Sequence, residues 1–415
     1  MYYKRKLEDT ILEYLDKREI LAIVGPRQSG KTTLLGKIQA DLKDSIFLNF
    51  EDKEVLELFE QDIKGFAKKY FNNYKYIFID EFQHSKNGGK NLKYLYDSFL
   101  NNKIIISGSS AIDLTIHAIK FLVGRIFVFN LYQLDFEEFL NFKQQDLLPI
   151  YLDYKKDLDL KSGKIKFLNI SKTLNNQFNK ILEEFLLWGA YPRVVLANNE
   201  AEKKIILKNI YNTYFLRDIK DTLGLIDDFK LTKLIKALAI QTGQLVEYNE
   251  LGQVSGYSYI SLKKYLNILE KTFICMPLVP FFQNKRKEIV KNPKLYFFDT
   301  GMRNYIVNDF KNLSNRVDAG SLYENFVFNQ LIKQEITINF WRTKAGAEVD
   351  FILETDAEKV PLEIKSSLKK AVLTKSLNAF MEDYKSKYAI VLSKESGKPI
   401  KKNAAKIYFL PHWII

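Results

Sequence analysis

Cysteine occurs once in these 415 residues, at Cys275, and histidine three times. A single thiol excludes an internal disulfide, and three scattered histidines leave no ligand set for a structural zinc. No run of about 18 apolar residues is present, so no membrane span is expected. The opening residues, Met1-Tyr-Tyr-Lys-Arg-Lys-Leu-Glu8, lack the apolar core of a signal peptide. A cytoplasmic location is the resulting expectation. Internal repeats and low-complexity segments are absent. Arginine is scarce as well, supplying ten of the 63 basic residues. The formal charge of +13 points toward a polyanionic partner, but the excess of Lys comes with abundant Ile, Asn, Phe and Tyr. That mixture reads as background bias, which leaves the few arginines more informative than the many lysines.

What is present is a soluble globular composition, 47% apolar and 27% charged, with length for about two to four domains. The first 140 residues alternate short apolar strands with longer helical stretches, the pattern of a parallel α/β sheet. Strands are predicted at 20–24, 46–50, 76–80, 103–107 and 126–130, and helices between them include 55–70 and 92–100. Residues 142–175 are rich in Lys, Asp and Leu and fit either a lid insertion or a linker. From 176 to 245 the apolar period is helical. The segment 248–256 followed by 258–271 reads as a helix-turn-helix, with the basic run 285–294 as a wing. A helix from Ser321 to about Lys333 then leads into strands at 336–341, 348–353, 360–364 and 388–392, a second α/β unit.

Chemistry is densest at Gly25-Pro-Arg-Gln-Ser-Gly-Lys-Thr32. Gly25, Gly30, Lys31 and Thr32 satisfy the Walker A pattern between a predicted strand and a helix beginning at Thr33. Glycines let successive backbone N–H groups face a phosphate. Lys31 would reach the β- and γ-phosphates and the Thr32 hydroxyl would ligate Mg²⁺. Pro26, Arg27, Gln28, Ser29 and Thr33 complete the candidate nucleotide contacts. Downstream, Tyr76-Ile-Phe-Ile-Asp80-Glu81 is an apolar strand ending in two acids. Asp80 is the candidate Mg²⁺ holder and Glu81 the residue that orients or deprotonates the attacking water. At the end of the next strand Ser109, preferred over Ser110, is a candidate γ-phosphate sensor; a plain strand-to-turn transition is the alternative. Gly124-Arg125 offers a phosphate-sensing or intersubunit finger arginine, or equally a surface salt bridge. ATP and Mg²⁺ are the cofactors this set implies.

These residues, in this order, resemble the archaeal-type ATPase family of the AAA superfamily. Pro26, Arg27 and Gln28 add to the match, as does Leu131-Tyr-Gln-Leu-Asp-Phe-Glu-Glu-Phe139. Beyond the ATPase, Gly189-Ala-Tyr-Pro192, Tyr214-Phe-Leu-Arg-Asp218 and Pro293-Lys-Leu-Tyr-Phe-Phe-Asp-Thr-Gly301 look like the family's C-terminal region. The resemblance implies a winged-helix module and a C-terminal fold similar to restriction endonucleases. The expected layout is an AAA-type P-loop core over 1–141, a linker and helical lid over 142–225, a winged helix over 226–315 and a nuclease-like α/β domain over 316–415.

In that last domain Glu324 lies on a helix, Asp350 within a strand, and Glu363 and Lys365 at the end of another. Alternate strand residues share a face, so Glu363 and Lys365 point the same way. Asp350 and Glu363 could then meet around one Mg²⁺, with Glu324 nearby and Lys365 activating the attacking water. The set looks like a PD-(D/E)xK nuclease core, whose alternative is a scaffold that binds without cutting. Glu348, two residues before Asp350 and facing the same side, is an extra ligand or a structural acid, and Arg342 and Lys344 are phosphate-backbone contacts or equally turn residues. The candidate reading helix offers Tyr257, Ser258, Tyr259, Ser261, Lys263 and Lys264, with Asn267 the lone base-reading type. Salt-sensitive, sequence-tolerant DNA binding is expected, against the alternative of a protein-docking module. A ring or dimer is the expected setting for Arg125 as a finger.

Overall fold

The computed structural model describes residues 2–86, 88–109, 119–219, 229–355, 358–367, 373–402 and 405–415. The chain divides into two compact units, Met1–Gln133 with Asn267–Phe273, and Leu134–Leu266 with Ile274–Ile415.

The first unit is built on five parallel strands, β1 (Ile20–Val24), β2 (Ser45–Asn49), β3 (Tyr76–Asp80), β4 (Lys103–Gly108) and β5 (Ile126–Asn130), in the order β2-β3-β4-β1-β5. Every residue of β1 and β4 is buried, as expected of central strands covered by helices on both faces. Leu21, Ile23, Phe78 and Ile105 pack with Leu34, Leu35 and Ile38 of the helix Lys31–Asp41, and with Ile11 of the helix Lys6–Glu13. The single helix expected over 55–70 is two, Lys53–Gln61 and Ile63–Tyr70. Asp62 interrupts it because its carboxylate accepts from Gly65 N and caps the second helix.

The second unit carries a six-stranded mixed sheet. After a small hairpin, β6 (Leu158–Asp159) with β7 (Lys164–Ile165), and a pair, β8 (Cys275–Leu278) with β9 (Lys294–Phe297), come β10 (Thr337–Arg342), β11 (Glu348–Glu354), β12 (Lys359–Ile364), β13 (Tyr388–Ser393), β14 (Gly397–Lys402) and β15 (Ala405–Pro411). Their order is β10-β11-β12-β13-β15-β14, antiparallel at both edges and parallel across β12, β13 and β15. Alternation serves two cores: Ile390 and Leu392 face one, Ala389 and Val391 the other. Residues 142–175, poised in sequence between lid and linker, contribute Tyr151, Leu158, Leu160, Ile165 and Leu168 to the first of these cores. Trp413 stacks there on Phe178 at 4.1 Å, and its indole N–H donates to Asn175 Oδ1 at 2.8 Å.

Three helices, Phe229–Ile240, Tyr248–Ser255 and Tyr259–Lys271, precede the β8–β9 pair. The expected wing needs correction. Its residues 285–290 form a helix, Lys285–Val290, and Lys285 is engaged by Glu288 and Glu354. Lys294, the last cation of the predicted wing, is buried at the start of β9.

Two of the segments behind the family resemblance meet as a structural joint. Asp299 caps the helix Thr300–Val307 through Met302 N and also accepts from Ala190 N at 2.7 Å. A Cβ on Gly301 would lie 1.9 Å from the Trp188 carbonyl oxygen, so only glycine permits this approach.

Candidate functional site

The parallel sheet brings the sequence motifs together because β1, β4 and β3 end side by side, with Val24 opposite Gly108 and Ile79 opposite Ile106. The loop after β1 passes under β5's exit, where a Cβ on Gly25 would lie 2.1 Å from the Leu131 carbonyl oxygen. Gln28 and Gly30 both take positive φ, 60° and 96°, which turns the chain so that the helix Lys31–Asp41 starts at the loop's base. Pro26 is buried, Arg27 half-buried, Gln28 exposed at the tip, and Thr33 exposed on the helix's first turn.

Lys31 is buried and donates to the carbonyls of Gly25 and Pro26, each at 2.9 Å. Burial lowers its pKa to about 8, against the pull of Glu81 and Asp80, with Arg27 adding to the depression. Thr32 Oγ1 donates to Asp80 Oδ2 at 2.6 Å, and Ser107 donates to the other Asp80 oxygen. Thr32 and Asp80 therefore fit Mg²⁺ as a hard-oxygen pair brought to one point. The loop fits phosphate as well: the Ser29 hydroxyl is buried with no hydrogen-bond partner among the described residues, and buried polar groups of this kind are normally satisfied.

Glu81 follows β3 in the left-handed region, φ 53°, a conformation non-glycine residues adopt at some cost and often at functional sites. Gln83 donates to the Glu81 carboxylate and, at 3.1 Å, to Ser109 Oγ. The preferred sensor residue is thus joined to the candidate base; Ser110 lies outside the described residues. Three residues of this site were missed from sequence. Ser107 ends the strand predicted over 103–107, and no motif singles it out. Gln83 sits in a 3₁₀ turn with no motif to flag it. Arg5 is buried and donates to the Ser29 carbonyl at 2.7 Å and the Tyr132 carbonyl at 2.8 Å, bracing the loop from outside any motif. Its scarcity as an arginine was the one available signal.

Of the two readings of Arg125, the surface salt bridge is the one seen within this chain. Arg125 precedes β5, where its carbonyl accepts from Ile20 N at the beginning of β1. The phosphate loop lies at the far end of that strand, roughly 16 Å away for five residues at about 3.3 Å each. There Arg125 pairs with Asp97 at 3.0 Å on the surface.

The C-terminal acids do converge, but around a cation supplied by the chain. Lys294 Nζ lies 2.6 Å from Glu348 Oε1 and 3.9 Å from Glu324 Oε2. Burial alone would lower its pKa, yet Glu324, Glu348 and Asp350 together raise it. Tyr296 donates to Glu324 at 3.2 Å. Asp350 Oδ2 accepts from Ile364 N at 2.7 Å, and burial, with Glu324 second, pushes it up to about 7. Burial likewise raises Glu324. Glu363 is held by Lys365 at 2.5 Å and by the Thr374 hydroxyl. Among the described residues no group of three or more His, Cys, Asp or Glu side chains is placed to hold a metal ion. The carboxylates of the expected Mg²⁺ set, Glu324, Asp350 and Glu363, are engaged by ammonium, phenol, amide and hydroxyl donors of the chain itself.

A parallel sheet of this strand order, with a Gly-Lys-Thr loop after one strand and Asp-Glu after its second neighbour, fits the P-loop NTPase fold. Residues 17–140 match the family model described as an AAA domain. Residues 179–313 and 319–413 match two domains of unknown function, DUF8612 and DUF4143. Similar proteins include an uncharacterised protein of Haemophilus influenzae, 26% identical and covering 82% of this chain and 81% of that one. Another, from Methanocaldococcus jannaschii, is 28% identical over 81% of this chain and 72% of its own. Among solved structures, a Walker-type ATPase of Pyrococcus abyssi superposes on 74% of this chain and 96% of its own, at 16% identity and a TM-score of 0.46. No helix among the described residues is long and apolar enough to cross a membrane.

Proposed function

We propose that this protein binds and hydrolyses ATP with Mg²⁺ and uses that cycle to control its hold on DNA. The observation that carries the ATPase reading is the convergence of Lys31, Thr32, Asp80 and Glu81 at the ends of neighbouring strands, with Thr32 and Asp80 in direct contact at 2.6 Å. In this reading the loop N–H groups and Lys31 hold the β- and γ-phosphates, and Thr32 and Asp80 hold the metal ion. Glu81 orients the attacking water and accepts its proton. Ser109 senses the terminal phosphate, and Gln83 links that sensor to Glu81.

The DNA reading rests on the helix pair Tyr248–Ser255 and Tyr259–Lys271. Ser258, Tyr259, Lys263 and Lys264 are exposed there, a set suited to phosphate oxygens and poor in base-reading groups. For the C-terminal sheet, binding without cleavage is favoured over a nuclease by one observation, the Lys294 ammonium on Glu348. A homo-oligomer, ring or dimer, is the setting in which Arg125 would reach a neighbour's phosphates.

Phosphate release by the wild type should be compared with Lys31→Ala and Glu81→Gln, with and without duplex DNA at low salt. Lys31→Ala should lose nucleotide binding, whereas Glu81→Gln should bind ATP and hydrolyse it at least about 100-fold more slowly. Rapid turnover by Glu81→Gln would remove that residue from the mechanism. If DNA neither binds nor stimulates hydrolysis, a switch ATPase acting on a protein partner remains.

A further inference from the structure

The half-buried acid cluster of the C-terminal sheet sets a charge problem. Four carboxylates, Glu324, Glu348, Asp350 and Glu363, are electrostatically coupled there. Leaving several carboxylates together in low dielectric is costly unless a cation joins them. Protonation of a carboxylate, a divalent metal or an internal ammonium each relieves the cost, and a single site has room for one cation.

We infer that Lys294 is the resident cation of this cluster, occupying the place a divalent ion would take. This inference rests on the reading of the C-terminal unit as a binding domain, and it names the device that makes it so. Lys294 opens β9, where its backbone is held opposite Leu278 and Leu245. The strand thus delivers the side chain into the cluster from a separate element, and its ammonium also lies 5.5 Å from the Phe340 ring centroid. Glu348, which it grips at 2.6 Å, is two residues from Asp350, and Glu324, at 3.9 Å, approaches from the helix Ala319–Lys333. Arg342 adds a second cation to Glu348 at 3.4 Å. Lys365, the remaining ammonium, is spent on Glu363. A divalent ion arriving here would meet a positive charge in hydrogen-bonding contact with one of its own ligands. Removing Lys294 while keeping its stem volume leaves the acids under-neutralised, and a hard divalent cation is the natural replacement.

The full-length protein carrying Lys31→Ala, which silences the nucleotide site, is titrated with Mn²⁺ and free Mn²⁺ is followed by electron paramagnetic resonance. Lys294→Met should acquire one additional Mn²⁺ site, bound at least about tenfold more tightly than any site in the parent, and lost again in Lys294→Met/Asp350→Asn. The parent and its Asp350→Asn variant should bind Mn²⁺ alike. A parent that binds Mn²⁺ in an Asp350-dependent manner overturns the inference, and this arm does not depend on Lys294→Met folding. Lys294→Gln serves as a second variant, judged folded by circular dichroism. If both Lys294 variants fold and neither gains a site, the inference also fails. None of these readouts involves DNA or ATP turnover, so failure here is separable from failure of the proposed function.

Discussion

Lys31 donates to two carbonyls of its own loop. Its pKa of about 8 lies below the ordinary 10.5, so between those values the unfolded chain holds a proton that the folded chain has released. Unliganded stability from this group therefore rises with pH across that window. Phosphate binding needs the proton back. ATP affinity should be level below pH 8 and weaken about tenfold per unit above it, as measured by competition with a fluorescent nucleotide analogue; level affinity up to pH 9.5 would contradict the assignment. Gln83 tests the link between sensor and base. Gln83→Ala should lower kcat about tenfold and leave KM within about twofold, since it positions Glu81 and does not hold ATP. Arg125→Ala should change kcat less than about threefold if its exposed pairing with Asp97 is its whole role. A loss of 10³ or more would instead place it on a neighbouring subunit's phosphates.

At the scale of elements, the parallel strands were readable almost residue by residue, because apolar runs such as Leu21-Ala-Ile-Val24 and Tyr76-Ile-Phe-Ile79 stand out between polar segments. The same contrast exposed Asp80, Glu81 and the loop Gly25–Thr32. What was not legible depended on partners distant in sequence. Asp62 splits a helix through a cap that a smooth apolar period conceals. Lys294 looked like one of several wing cations, and only the pairing of β8 with β9 sends it inward. β14 and β15 went unread, although the alternation of Ile407, Tyr408, Phe409 and Leu410 between two cores is plain once the sheet is known. The joint formed by Arg303, Arg316 and Asp318 is similar in kind. Asp318 bonds both guanidinium groups, and these are almost wholly buried. Asp318→Ala would leave two buried charges without their carboxylate and should cost about 3 kcal/mol, seen as a lower urea midpoint with an unchanged slope.

For the molecule as a whole, the +13 charge sets expectations about range more than about sequence choice. If Lys263 and Lys264 touch phosphates, the double alanine variant should flatten the dependence of log affinity on log salt by about two units. Sequence preference should not change. Loss of affinity without a change in slope would point instead to a docking surface for protein. A different consequence follows from Arg5 and the helix Lys6–Glu13. The match to the AAA domain model begins at residue 17, yet Arg5 ties down the Ser29 carbonyl and Ile11 fills the core of the first unit. A fragment trimmed to residues 17–140 would carry a P-loop stripped of its brace, and weak ATP hydrolysis by it would report on the cut and not on the whole of this chain.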